Sequence, residues 1–320
     1  MSERSRFSYH AVDLPGGVAA DLALPEPSSD PVVQAYAAGN SLNRYLVDIL
    51  VEFTRPGDRV LDLGCHVGTL AVPAAALGRR VIAVDASPLH VESVRLAARR
   101  NGLESLLQVE WCAVDRTAGH VDFDENGLWG MVSRTPEPAA GRLRVAARRA
   151  DEIVAAAGWD GADLVKMDVE GSELAAVDSL GCLLEGPAAP VLIYESNGMT
   201  FELFGYTIED MRRRLEQLDY ITCRFEAGAL IYCEPSELQP EAWLDVLALP
   251  AAWRRKLAAR ISAWTAEAMV ARCLEWGANE HRNVREYLHR ALESGARYPR
   301  DDGRIAALRA ALAREFVTPG

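Results

Sequence analysis

Three ionisable side chains close an apolar run in the segment DLVKMDVEGSEL, residues 163–174. Lys166, Asp168 and Glu170 stand two apart, so on an extended strand they share one face while Val165, Met167 and Val169 take the other. Carboxylates gathered at a strand end can accept a proton from a weak nucleophile, and a nearby lysine holds them ionised. A matching set, Glu195, Ser196 and Asn197, ends the run VLIYESN. Asp168 is the first candidate base and Glu195 the second, with Lys166 as their partner. Two other readings stay open. The carboxylates and Asn197 are oxygen ligands suited to Mg²⁺ or Ca²⁺, although Lys166 would compete for the same charge. Alternatively the lysine and acids form a buried network that only ties strands together.

Two further motifs precede this one. VLDLGCHVG ends a strand in Asp62 and turns through Gly64, Cys65, His66 and Gly68 into a helix. Glycines there allow a tight turn and a close backbone approach by a ligand. The acid before the turn suits a ligand that carries an ammonium group. The spacing is not G-x-G-x-x-G, which speaks against a nicotinamide dinucleotide. His66 is read as a loop residue that matters through its backbone, the alternative being a base or a ligand contact. VIAVDASP ends the next strand in Asp85 and Ala86, 17 residues after Gly68. A carboxylate at that place accepts the two hydroxyls of a ribose.

These motifs need elements to hold them. Short apolar runs at 59–64, 80–85, 107–114, 163–168 and 190–196 alternate with helical patterns at 69–78, 87–102, 150–158, 171–180 and 207–220. Ser87, Pro88 and Gly102 supply a cap, a first-turn proline and a stop for the second of these helices. The alternation predicts a mostly parallel sheet covered by helices on both faces. The run ITCRFEAGALIYCE turns too tightly near 226–228 for a crossover, so its two strands must be antiparallel. Residues 118–147 read as an inserted hairpin with DENG and RTPEP turns. Residues 1–30 read as irregular, and 31–53 as helical with Asn40 or Ser41 as a cap. Beyond 243 the strands are expected to stop. Three helical stripes follow, running Trp253 to Ala268, Val284 to Leu292 and Ile305 to Phe316. The expected division is an N-terminal cap at 1–58, a core at 59–240 and a helical appendage at 241–320.

The 320 residues hold 34 Lys and Arg against 46 Asp and Glu, a net charge of −12. This excess disfavours nucleic acid or anionic lipid as a general partner. The six cysteines form no CxxC pair, and with the histidines they show no metal-finger spacing. They read as small buried side chains of a reducing compartment. No apolar leader or membrane-length run is evident, so the expected location is cytoplasmic.

VLDLGCHVG, VIAVDASP, DLVKMDVEGSEL and VLIYESNG followed by LFGYTIEDMRRRLEQLDY resemble the FkbM-type S-adenosylmethionine-dependent methyltransferases over about residues 40–240. The most specific element is KMDVEGSE. Cys65, His66 and Asp85 depart from the pattern, which more often has small and amide residues in the loop and a glutamate at the second strand end. The resemblance implies a doubly wound, Rossmann-like sheet of seven strands with an antiparallel last hairpin. It implies S-adenosylmethionine as methyl donor, held around Asp62, Gly64, Cys65, His66, Gly68, Asp85, Ala86 and Asp168. It also implies O-methylation of a sugar, glycolipid or polyketide hydroxyl, with no resident metal in the leading reading. A non-catalytic relative that docks a partner is the alternative from another class. The C-terminal helices are expected to pack on the core or to mediate a homo-oligomer.

Overall fold

The structure is a computed structural model that describes residues 6–26, 28–40, 44–125, 130–134, 142–226, 229–232 and 243–263. Two compact units divide the chain, 1–195 and 196–320.

The first unit opens with a hairpin, β1 (Phe7–Leu14) and β2 (Val18–Pro25), paired antiparallel. This corrects the expectation of an irregular start. Pro15, Gly16 and Gly17 form the turn, and both glycines adopt positive φ. Val12 and Leu14 are buried on β1 while Asp13 between them is exposed, the two-residue period of a half-buried strand. β2 is held from outside by Asn101, whose side chain accepts from the Asp21 N–H and donates to the Asp21 carbonyl. The helical stretch that follows is two helices, α1 (Pro31–Ala37) and α2 (Arg44–Phe53). The break falls at Gly39, whose φ is +81°. Ser41 lies outside the described residues. α1 is capped by Asp30, which accepts from the N–H groups of Val32 and Val33.

The alternating core comes next: β3 (Arg59–Leu63), α3 (Ala71–Ala76), β4 (Arg80–Asp85), α4 (Pro88–Asn101) and β5 (Leu107–Trp111). A short β6 (Ala113–Val114) then leaves this sheet for a second one. There it joins β7 (Gly119–Asp124), β8 (Met131–Val132) and β9 (Arg142–Arg148) in the order β6-β9-β7-β8. This is the inserted excursion, and Ala113, Phe123 and Val145 form its core. The chain returns through α5 (Ala150–Ala156), β10 (Leu164–Met167), α6 (Glu173–Leu180) and β11 (Val191–Asn197).

Five parallel strands run β11-β10-β3-β4-β5. From β3 the chain steps outward to β4 and β5, then crosses back to β10 and β11 on the other side. With right-handed crossovers, α3 and α4 must cover one face and α6 the other. The reversal leaves a crevice beyond the carboxyl ends of β3 and β10, where ligands of such sheets bind. Lys166 is in register with Asp62 across that switch.

The second unit contains α7 (Gly198–Leu203), α8 (Ile208–Gln217), β12 (Tyr220–Glu226), β13 (Ala229–Tyr232), β14 (Trp243–Pro250), α9 (Ala251–Lys256) and β15 (Ile261–Ala263). β12 pairs antiparallel with β13 and with β14, and β13 pairs parallel with β15. β14 and β15 depart from the expectation that strands stop after 243. Val246 to Leu249 are all buried, a continuous apolar run that does not alternate and so hides its strand character. The stripe read from Trp253 through Ile261 as one helix ends at α9, and Ile261 lies in β15. Its continuation to Ala268 and the other two helical stripes lie outside the described residues. No helix among the described residues is long and apolar enough to cross a membrane.

Candidate active site

The loop after β3 and the end of β10 meet backbone to backbone. Gly64 has φ +77°, and a Cβ there would stand 1.7 Å from the Asp168 carbonyl oxygen. Its N–H and that of Cys65 donate to the Val84 carbonyl of β4, at 2.9 and 3.0 Å. Glycine at 64 is thus required by the neighbouring chain. Gly68, φ +85°, has a different reason. A Cβ there would meet Val72 Cγ2 of α3 at 2.9 Å and Val94 Cγ2 of α4 at 3.1 Å, so it lets these two helices pack against the turn.

Lys166 is buried under this loop. Its Nζ donates to the Gly64 carbonyl at 2.9 Å and lies 3.2 Å from Asp168 Oδ2 and 3.5 Å from Asp62 Oδ1. Asp62 is fully buried, and neither of its oxygens has a hydrogen-bond partner among the described residues. Burial pushes its carboxyl up to about 6 against the pull of Lys166.

β10 ends at Met167, so the shared face expected of Lys166, Asp168 and Glu170 does not extend to Glu170. Glu170 instead sits in a turn at φ +49°. Glu173 holds that turn, accepting from the N–H groups of Val169 and Gly171, both at 2.9 Å. Glu170 is 7% exposed, and its Oε2 has no hydrogen-bond partner among the described residues. Burial, with Asp168 and Glu173 beside it, raises its carboxyl to about 8. Burial raises Glu173 to about 7. One carboxylate oxygen from each of Asp168, Glu170 and Glu195 lies within 4.8 Å of the other two. Asn197, considered above as an oxygen ligand, accepts from the Met199 N–H at 3.2 Å and caps α7.

Asp85 closes the far wall. Its Oδ2 accepts from the His66 N–H at 2.8 Å, and its Oδ1 accepts from the Ser87 N–H at 2.9 Å and lies 3.3 Å from His90 Nδ1. Burial works to raise this carboxyl, but His90 and the two backbone donors outweigh it and the net shift is downward. Trp111 Nε1 donates to the Ala86 carbonyl, and Ser87 Oγ donates to Glu125 of the insertion. The ring of His66 is engaged as well. Its Nε2 lies 2.7 Å from Asp30 Oδ2, and its face meets His90 edge-on. A purely backbone role for His66 is therefore incomplete.

A cavity opens among these groups. Gly64, His66, Asp85, Ala86, Asp168 and Glu170 line it, with His90 from α4 and Val114, Phe123 and Val132 from the insertion. Of the residues expected around a cofactor, Asp62, Cys65 and Gly68 do not line it; neither do the candidate catalytic residues Lys166 and Glu195. Asp62 and Lys166 lie beneath the loop and brace it. Cys65 is buried, and its thiol is pushed well above its ordinary range by burial. Sequence reading missed Asp30, His90 and Glu173. Only Glu173 left a local signal, an acid three residues after another across a glycine.

Such a switch point, lined by strand-end acids and closed by a glycine turn, is where sheets of the doubly wound class hold nucleoside ligands. The family model of the FkbM methyltransferase domain matches residues 62–222, about half of the chain. The chain belongs to that family, and S-adenosylmethionine is the methyl donor it implies. Over 157 residues the chain is 29% identical to the ribosomal protein L11 methyltransferase of Cupriavidus necator, covering 47% of this chain and 50% of that one. It is 49% identical over 47 residues to the ubiquinone biosynthesis O-methyltransferase of Methylocella silvestris, or 15% and 18% of the two chains. The solved tRNA (uracil-54, C5)-methyltransferase of Pyrococcus abyssi, in complex with S-adenosyl-L-homocysteine, aligns over 77% of this chain and 45% of that one. Its identity is 18% and its TM-score 0.40. The chain spans half or less of the length of the curated relatives it matches.

The residues present fit the donor. It carries a sulfonium and an ammonium, and Asp85, Asp168 and Glu170 bring carboxyl groups to the cavity lining, with Glu195 within 4.8 Å of the last two.

Proposed function

We propose that this protein transfers a methyl group from S-adenosylmethionine to a hydroxyl of a sugar, glycolipid or polyketide-type small molecule. The observation that carries this reading is the convergence of Asp168, Glu170 and Glu195 at the switch point, a place suited to a cationic ligand. Glu170 Oε2, buried and without a hydrogen-bond partner among the described residues, gains one when that ligand arrives. Asp85 accepts from the ribose, and Gly64 and Ala86 admit the rest of the nucleoside.

Asp168 is the candidate base. It lines the cavity, its side chain is 36% exposed, and Lys166 Nζ stands 3.2 Å from its Oδ2. Glu170 is not placed for that task, because a carboxyl raised to about 8 keeps its proton near neutral pH. The donor supplies an electrophilic methyl carbon: the O–C bond forms as the C–S bond breaks, and a neutral thioether leaves. Asp168 takes the hydroxyl proton, and the rest of the work is alignment of the oxygen with the methyl group. Incubation with isotopically labelled donor and a panel of glycosides, sugar nucleotides and polyketides tests this. Label is expected in a hydroxyl-bearing product, and labelling confined to protein or RNA acceptors would defeat the acceptor class.

A second reading is favoured by one observation, the convergence of Asp168, Glu170 and Glu195. Three oxygen ligands suit a hard divalent cation such as Mg²⁺. Activity abolished by a strong chelator and restored by Mg²⁺ selects this reading; activity unchanged by the chelator removes it.

A further inference from the structure

Beside the cavity stand three side chains, Asp30, His66 and His90, to which the proposed transfer step gives no role. Asp30 caps α1 through Oδ1, which accepts from Val32 N at 2.8 Å and Val33 N at 3.2 Å. Its Oδ2 faces His66 Nε2 at 2.7 Å. The His66 ring stands 4.4 Å from the His90 ring at an interplanar angle of 76°. His90 is held in turn by Asp85, whose Oδ1 is 3.3 Å from its Nδ1. One ligand atom from each of Asp30, His66 and His90 lies within 4.8 Å of the other two. Asp30 and His90 are buried, and both histidines line the cavity.

We propose that Asp30, His66 and His90 form a binding site for a borderline divalent metal ion of the zinc class. Two imidazoles and one carboxylate suit Zn²⁺, Co²⁺ or Ni²⁺ and discriminate against Mg²⁺ and Ca²⁺, which prefer oxygen alone. Three protein ligands leave a coordination position, and the cavity supplies the solvent or substrate oxygen that completes it. Asp85 is the outer carboxylate that orients a metal-binding histidine, a partnership found at many such sites. Because Asp30 begins α1 and His66 belongs to the glycine turn, a bound ion fastens the N-terminal segment onto the cofactor loop. The donor set separates this site from the all-oxygen triad around Asp168, and its occupancy requires no methyl donor.

The full chain titrated with Co²⁺, followed by visible absorption with Zn²⁺ as competitor, is the test. One equivalent is expected to bind with a ligand-field band and to be displaced by Zn²⁺ but not by Mg²⁺. Asp30→Asn keeps an acceptor for the Val32 and Val33 N–H groups, so α1 keeps its start. This variant and His90→Ala are each expected to weaken binding about tenfold or more, and Asp85→Asn by about tenfold. His120→Ala, at an exposed residue of β7, is expected to leave it unchanged. The proposal is overturned by the absence of saturable binding below about 0.1 mM. Equal affinity in the His90 variant, or a thiolate charge-transfer band that places the ion on cysteine, overturns it as well.

Discussion

Gly64 and Asp168 lie so close that the carbonyl oxygen of one occupies the space where a side chain on the other would begin, 1.7 Å from an ideal Cβ. Backbone contact of this kind joins the two halves of the sheet at the place where the strand order reverses. It also fixes the height of Asp168 relative to the cofactor loop.

Gly64→Ala is therefore expected to cost about 3 kcal/mol or more of folding stability, from overlap added to a left-handed backbone. Gly102→Ala is the control: φ there is +67° but nothing lies within 4 Å, so only the conformational penalty of about 1–2 kcal/mol applies. Urea denaturation of both variants measures the difference. Equal losses would refute steric contact as the cause.

Lys166→Met removes the cation that stands within 3.5 Å of both Asp62 and Asp168 while filling a similar volume. A buried carboxylate left without its partner costs about 3–5 kcal/mol. Adding Asp62→Asn is expected to return part of that loss, since the buried charge disappears with it. A double variant no more stable than the single one would argue that Lys166 acts through packing alone.

Stability in the absence of ligand is expected to fall between about pH 5 and pH 8. Glu170, ordinarily near 4.5, is raised to about 8; Glu173 rises to about 7, and Asp62, ordinarily 3.8, to about 6. A folded state that binds protons more tightly than the unfolded chain keeps that advantage below the unfolded pKa. It loses the advantage as pH rises through the folded one. Glu170→Gln cannot titrate, so its stability should change less between pH 5.5 and pH 8. An unaltered slope in this variant would mean that Glu170 does not carry the effect.

Binding of a cationic donor should reverse the same shift and expel protons. Calorimetry with S-adenosylmethionine at pH 7 in buffers of different ionisation enthalpy is expected to show net proton release. Glu170→Gln should reduce that release. Proton uptake would place the sulfonium away from these acids.

Asp85→Asn replaces two accepting oxygens with one, and so weakens the hold on the His66 and Ser87 N–H groups as well as on the ribose. Charge-assisted hydrogen bonds contribute about 1.5–3 kcal/mol, so donor affinity should fall about tenfold or more. Equilibrium binding with retained far-UV circular dichroism checks it.

Local pattern alone placed Asp62, Asp85, Asp168 and Glu195 at or beside the ends of four strands of the alternating core. The period of the apolar residues and the turn glycines fix where a βαβ unit begins and stops, and neither needs distant contacts. The inserted hairpin at 118–147 was legible for the same reason. Tertiary structure decided which of these acids face the cavity. Asp62 sits beside Lys166 and does not line the cavity, and Glu173 pins the turn that carries Glu170. It decided too that Gly68 serves the packing of α3 and α4, that Asp30 meets His66 from 36 residues away, and that β1, β2, β14 and β15 are strands. The physical reason is common to all of these. A sequence window reports the tendencies of its own backbone, whereas register across the sheet and packing of distant segments set which side chains end up within bonding distance.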